Sequence, residues 1–164
     1  MRLQPWDIFD ACRIGNLQQV TELIALQADI VNLKDDKGFT PLILAVYNNQ
    51  PAIVDYLLAN GADTDAVDAA GNTALMGVCF KGYNEMATKL IEAGASLNKQ
   101  NMQGATALTF ATSFNHLQIV ELLLRSGANA ALPDLRGKIP LDHARVQENW
   151  EMFDLINDYR KTAQ

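Results

Sequence analysis

Apolar positions along this chain fall into short stripes with helical spacing, and the stripes recur. Ile53, Val54, Leu57 and Leu58 sit at i, i+1, i+4 and i+5. That spacing puts them on one face of a helix turning every 3.6 residues. The runs EMATKLIEAGAS and LQIVELLLRSGAN repeat the stripe, and all three close on a Gly-Ala pair, at Gly61, Gly94 and Gly127, 33 residues apart. A glycine just past the last apolar position predicts a left-handed residue that ends the helix.

A second pattern lies between the stripes. Gly38, Gly71, Gly104 and Gly137 share the 33-residue spacing, and each follows Asp35, Asp68, Asn101 or Asp134 by three residues. This is turn chemistry: glycine reaches positive φ, and the Asp or Asn side chain bonds nearby backbone. Thr40, Thr73 and Thr106 come next, then Pro41, Ala74 and Ala107, then Leu42, Leu75 and Leu108; the fourth copy reads Ile139, Pro140, Leu141. Thr before Pro predicts a helix cap followed by a first-turn proline. The short helix it starts breaks near Asn49 and, one repeat on, at Gly82. Each unit is therefore turn, helix, turn, helix. One unit cannot bury its own stripe, so neighbours must stack. The pattern predicts a single domain over 1–164, with approximate units 1–34, 35–67, 68–100, 101–133 and 134–164.

These motifs closely resemble the ankyrin repeat family. The resemblance rests on residues 35–63, 68–96 and 101–129, with a first unit visible at 10–29 and a last at 134–156. It implies an all-α solenoid of about five helix–turn–helix units joined by β-hairpin-like turns. There are departures. Where the family has His after Thr-Pro-Leu, this chain has Ile43, Met76, Thr109 and Asp142. Ile139 replaces the capping Thr, a loss of about 0.5–2 kcal/mol unless compensated. The first unit has Gln27-Ala28 in place of Gly-Ala and one extra residue before Lys34. Trp6 and Phe9 at one end, and Trp150, Phe153 and Tyr159 at the other, are expected to cap the stack.

Composition narrows the function. At 49% hydrophobic and 20% charged, the 164 residues are ordinary for a globular chain. The net charge of −6 and the scattered Lys and Arg argue against nucleic acid. No run approaches a membrane span, and the N-terminal residues lack the apolar core of a secretory signal. Two cysteines are too few for a disulfide framework. A cytoplasmic monomer with reduced thiols is expected.

The residues that could carry chemistry have structural readings. Cys12 and Cys79 occupy the same repeat place, which suggests a small buried slot. His116 is expected to make a structural hydrogen bond at an inter-helix turn. His143, beside Asp142, has no metal-ligand spacing, and no nucleophile motif is present. No cofactor, metal site or catalytic residue is expected.

In the ankyrin family the turn tips and the exposed side of each first helix form a concave recognition surface. Carried over place by place, the resemblance implies Lys37, Phe39, Tyr47, Asn48, Asn72, Phe80, Lys81, Met102, Gln103, Ser113, Phe114, Leu135, Arg136 and Lys138 as partner-binding residues. Tyr47, Phe80 and Phe114, with Phe39 and Met102, form either an exposed strip of interface composition or a local cover over the core. The function expected is non-catalytic binding of another protein. The alternative is a dedicated inhibitor, chaperone or immunity-type partner of one enzyme, the acidic chain meeting a basic groove. A homo-oligomer or spacer, and an enzyme or small-ligand binder, complete the set.

Overall fold

In a computed structural model, residues 4, 5 and 7–162 are described; Trp6, expected as a cap, lies outside them. Among the described residues ten α-helices occur in pairs: α1 (Asp7–Ile14) and α2 (Leu17–Leu26), α3 (Pro41–Tyr47) and α4 (Pro51–Ala59), α5 (Ala74–Lys81) and α6 (Asn84–Glu92), α7 (Ala107–Ser113) and α8 (Leu117–Arg125), α9 (Pro140–Val146) and α10 (Trp150–Thr162). The first helices of successive pairs pack in one row and the second helices in another. The first row is the tighter, so the stack curves towards it and that side is concave.

Local chemistry sets each helix. Thr40, Thr73 and Thr106 accept from the N–H of Ile43, Met76 and Thr109 at 3.2, 3.3 and 3.2 Å. Ile139 has no acceptor to offer. Asp142, three residues on, instead accepts from the Ile139 N–H at 3.1 Å and places a carboxylate in the first turn of α9, where the helix dipole favours it. The missing cap is thus partly compensated. The outer helices α4, α6 and α8 end in paired bonds: Ala62, Ala95 and Ala128 donate to Leu57, Leu90 and Leu123, while Gly61, Gly94 and Gly127 donate to Leu58, Ile91 and Leu124. This is the closure that a left-handed glycine followed by a small apolar residue provides.

The extra residue of the first unit is located. Leu23 to Asn32 spans nine positions where Leu57 to Asp65, Leu90 to Asn98 and Leu123 to Ala131 span eight. A 3₁₀ segment at Ala28–Asn32 takes up the difference.

The core runs unbroken through the stack. Cys12, Val46, Cys79 and Thr112 share one repeat place, and all are fully buried. Burial pushes the Cys12 thiol up to about 12 and raises that of Cys79 further. Among the expected caps, Phe9 is buried and Phe153 and Tyr159 pack on the core, but Trp150 remains 58% exposed against the edge of Phe153.

Candidate functional site

The turns place the candidate residues. Asp35, Asp68, Asn101 and Asp134 each accept two backbone N–H groups of their own turn on Oδ1, at 2.9–3.0 Å. A ladder then joins the turns: Ala69 donates to the Lys37 carbonyl, Met102 to Ala70, and Leu135 to Gln103, at 2.9, 3.1 and 2.9 Å. Gly38, Gly71 and Gly104 have φ near +75°, and a Cβ on any of them would lie 2.9–3.1 Å from backbone of the next turn. Gly137, in the last turn, meets nothing within 4 Å. The hairpin character of the turns reduces to one bridge, Val67 with Thr73, and no strand forms among the described residues.

Each turn's second side-chain polar atom is also engaged. Arg13 reaches Asp35 at 3.1 Å, and Asn72 donates to Asp68 at 3.2 Å while accepting from Asn101 at 2.8 Å. His143 Nε2 lies 2.9 Å from Asp134. Burial pushes the Asp134 carboxyl up, but bonds from Lys138, His143 and Arg136 outweigh it and hold the pKa below the usual carboxylate value. His143 supplies an imidazole to its turn from one place beyond the family's histidine. Asn72, expected as a partner contact, spends its amide inside this network.

The inner helices end the same way. Gly15, Asn49, Gly82, Asn115 and Glu148 occupy one repeat place, and all have positive φ, between 54° and 81°. From the start of the next outer helix, Gln50 donates to the Arg13 carbonyl at 3.5 Å, and His116 Nε2 meets the Phe80 carbonyl at 3.2 Å. The structural role expected of His116 is this clasp. It closes over Gly82, where a Cβ would sit 2.4 Å from the imidazole.

These frames carry two aromatic groups. Phe39 and Tyr47 are half-buried, with ring centroids 6.2 Å apart, and the Tyr47 ring packs on Gly77 of the next unit. Phe80 and Phe114, 38% and 46% exposed, meet edge to face at 4.6 Å; Phe114 also stacks beside Phe110 at 6.5 Å. The Lys81 ammonium bridges the groups, 5.9 Å from the Tyr47 centroid and 5.7 Å from that of Phe80. Ring packing of this kind adds about 0.5–1.5 kcal/mol per pair beyond area. Phe39 and Tyr47 therefore do much of the local covering, while Phe80 and Phe114 face outward.

Around them, Met102 and Leu135 are 66% and 79% exposed at the turn tips, with Lys37, Gln103 and Arg136 also exposed. Asn48 is exposed but bonds back to the Leu44 carbonyl, and Ser113 and Lys138 are half-buried. Phe110, which sequence reasoning passed over, joins Ser113, Phe114, Leu135, Arg136 and His143 along a groove of about 290 Å³. Its signal was its register: Phe110 stands where the unit before has Gly77 and the unit after has His143.

Charge separates between the faces. The outer helices carry eight acidic residues, Glu22, Asp55, Glu85, Glu92, Glu121, Glu151, Asp154 and Asp158, against four bases, Lys89, Arg125, Arg160 and Lys161. From Ala69 onward the exposed charges of the turn tips and inner-helix ends are Lys81, Arg136 and Arg145 with one acid, Glu148, while the first turn tip sets exposed Asp36 beside Lys37. The acidic surplus expected to meet a basic partner therefore does not lie on the concave face.

Among the described residues no group of three or more His, Cys, Asp or Glu is placed to hold a metal ion, and no helix is long and apolar enough to cross a membrane.

Comparison with known proteins agrees with this geometry. A family model described as ankyrin repeats (3 copies) matches residues 8–101 and 75–163. The chain is 30% identical over 164 residues to Ankyrin repeat and SAM domain-containing protein 6 of Rattus norvegicus, covering 93% of this chain and 18% of that protein. It is 31% identical to Tyrosine-protein kinase HTK16 of Hydra vulgaris, covering 91% and 20%, and 31% identical to Mitochondrial disaggregase of Bos taurus, covering 86% and 21%. The chain thus spans about a fifth of the length of these relatives. A 33-residue turn–helix–turn–helix period, the laddered turns and a family match over nearly all the described residues have one reading: the chain belongs to the ankyrin-repeat family.

Proposed function

We propose that this chain is a non-catalytic protein-binding module whose partner seats on the concave face, across the third to fifth helix pairs. Ankyrin repeats are in general protein-interaction modules. The observation that carries the assignment to this face is the outward Phe80–Phe114 pair, with Leu135 lining the same groove as Phe114 and Met102 exposed at a turn tip. The repeat explains the buried positions around them and does not require these four. Aromatic and Met side chains with Arg nearby are the composition of interface centres. Phe80, Lys81, Met102, Gln103, Phe114, Leu135 and Arg136 form the contact set, joined by Phe110. Lys37 extends it along the turn tips, while Phe39, Tyr47, Asn48, Asn72, Ser113 and Lys138 support it from beneath or beside.

The test is capture of binding proteins from a native extract by the immobilised chain, compared with the variant Phe80→Ala/Phe114→Ala. The variant is expected to lose the captured proteins while its melting temperature drops by no more than about 5 °C, given the modest worth of an exposed ring pair. Equal capture by both proteins would contradict the assignment.

A further inference from the structure

We infer that the partner segment seated on this face is a linear acidic stretch bearing one large apolar side chain. The inference rests on the concave-face reading and adds the chemistry of what it takes. Three observations carry it.

The first is shape. The groove of about 290 Å³ has Phe110, Phe114 and Leu135 as apolar walls, with Thr109, Arg136, His143 and the Asp134 carboxylate, itself bonded to His143 and two backbone N–H groups, among its lining. That is at the lower edge of the roughly 300–1,000 Å³ of a small-molecule site, and it has room for one large inserted side chain.

The second is unmatched charge. Among the described residues neither Lys81 nor Arg136 has a carboxylate within 4.0 Å. The acids beside them are already committed: Asp68 to the N–H groups of Ala70 and Asn72 and the Asn72 amide, and Asp134 to those of Arg136 and Lys138 and to His143. A basic segment would meet like charge on an apolar bed, and an acidic one would find two cations without a carboxylate partner, Lys81 lying over the Tyr47 and Phe80 rings. Such complementarity selects the partner and speeds encounter.

The third is span. Lys81 ends α5 and Arg136 lies in the turn before α9, two units on. Packed helices stand about 10 Å apart. Because Lys81 sits at the far end of the eight-residue α5 and Arg136 before the start of α9, about 12 Å of helix length adds to two such steps, and the cations bracket roughly 23 Å, about seven residues of extended chain. The apolar groove opens within that bracket.

The experiment pans a phage-displayed library of random twelve-residue peptides on the purified full chain. Enriched peptides, synthesised with a fluorescent label, are then titrated against wild type, Phe80→Ala/Phe114→Ala and Lys81→Glu/Arg136→Glu, each first checked for an unchanged helical spectrum. The expected peptides carry Glu or Asp around one Trp, Phe or Leu. Charge reversal weakens them at least tenfold at low salt, a gap that narrows as salt screens the charges. Loss of the rings weakens them at any salt.

Failure to enrich any peptide overturns the inference. So does enrichment of neutral or basic peptides; if those still need Phe80 and Phe114, the concave-face reading stands without its acidic partner. Peptides that bind the ring-deleted variant as tightly as wild type overturn both.

Discussion

Gly104 and Gly137 offer a controlled pair. Their φ values are 73° and 75°, and both follow a turn residue that accepts two N–H groups. They differ in their neighbours. A Cβ on Gly104 would lie 2.9 Å from the Leu135 nitrogen, whereas one on Gly137 meets nothing within 4 Å. Alanine at either position takes on a left-handed backbone costing about 1–2 kcal/mol. The lost freedom of the unfolded chain returns about 0.4–1 kcal/mol. Gly137→Ala should therefore cost about 1 kcal/mol. Gly104→Ala must also push away the next turn and break the Leu135-to-Gln103 bond, adding about 1–2 kcal/mol. At about 2–4 °C per kcal/mol for a chain of this size, melting falls by about 2–4 °C for Gly137→Ala and about 4–12 °C for Gly104→Ala. Equilibrium urea unfolding followed by circular dichroism measures both. Equal losses would refute the argument that the turns are held together by close backbone approach.

Other substitutions probe other joints. Asp134→Asn keeps an acceptor for the Arg136 and Lys138 N–H groups, as Asn101 does for Gln103 and Ala105, so it should cost about 1 kcal/mol against about 2–3 kcal/mol for Asp134→Ala. Because folding lowers the Asp134 pKa, the carboxylate's contribution is full above its unfolded value of about 4 and is lost as pH falls through the lower folded value. Urea midpoints of wild type and Asp134→Asn should thus converge in acid; a constant gap would count against the pairing. Ellman's reagent near pH 8 should modify neither Cys12 nor Cys79 until the chain unfolds, since both thiols are buried with raised pKa values; prompt labelling of the native chain would contradict this. Glu148→Gly should stabilise by about 0.5–1 kcal/mol, because the native φ of 54° suits glycine better, and a destabilised variant would refute that account.

Much of the fold is legible in sequence because the repeat forces each unit to reuse the same backbone solutions. Thr40, Thr73 and Thr106 announce caps, and Gly61, Gly94 and Gly127 announce helix ends, by chemistry local to a few residues. What stays hidden depends on which side chains meet, within a unit as well as between units. Asp142 completes part of a cap that Ile139 lacks, and His143 turns inward to Asp134. The division of the aromatic residues is of the same kind. Tyr47 lies down because Gly77 leaves room beside it, while Phe114 stands out against Phe80 and Phe110. Stripe counting sees Tyr47 and Phe80 as equivalents, with Phe114 one place on beside Asn48 and Lys81; only the residue opposite each ring separates cover from exposed surface. Net charge misleads in the same way, since −6 describes the whole chain while the concave face carries Lys81 and Arg136.

The most direct test of the central claim is amide hydrogen exchange on the chain, alone and bound to a partner protein recovered by capture. The account predicts new protection confined to the ends of α5 and α7 around Phe80, Lys81 and Phe114, and to the turn tips at Met102–Gln103 and Leu135–Arg136. Protection concentrated instead on the outer helices α4, α6 and α8, with the concave positions unchanged, would contradict it.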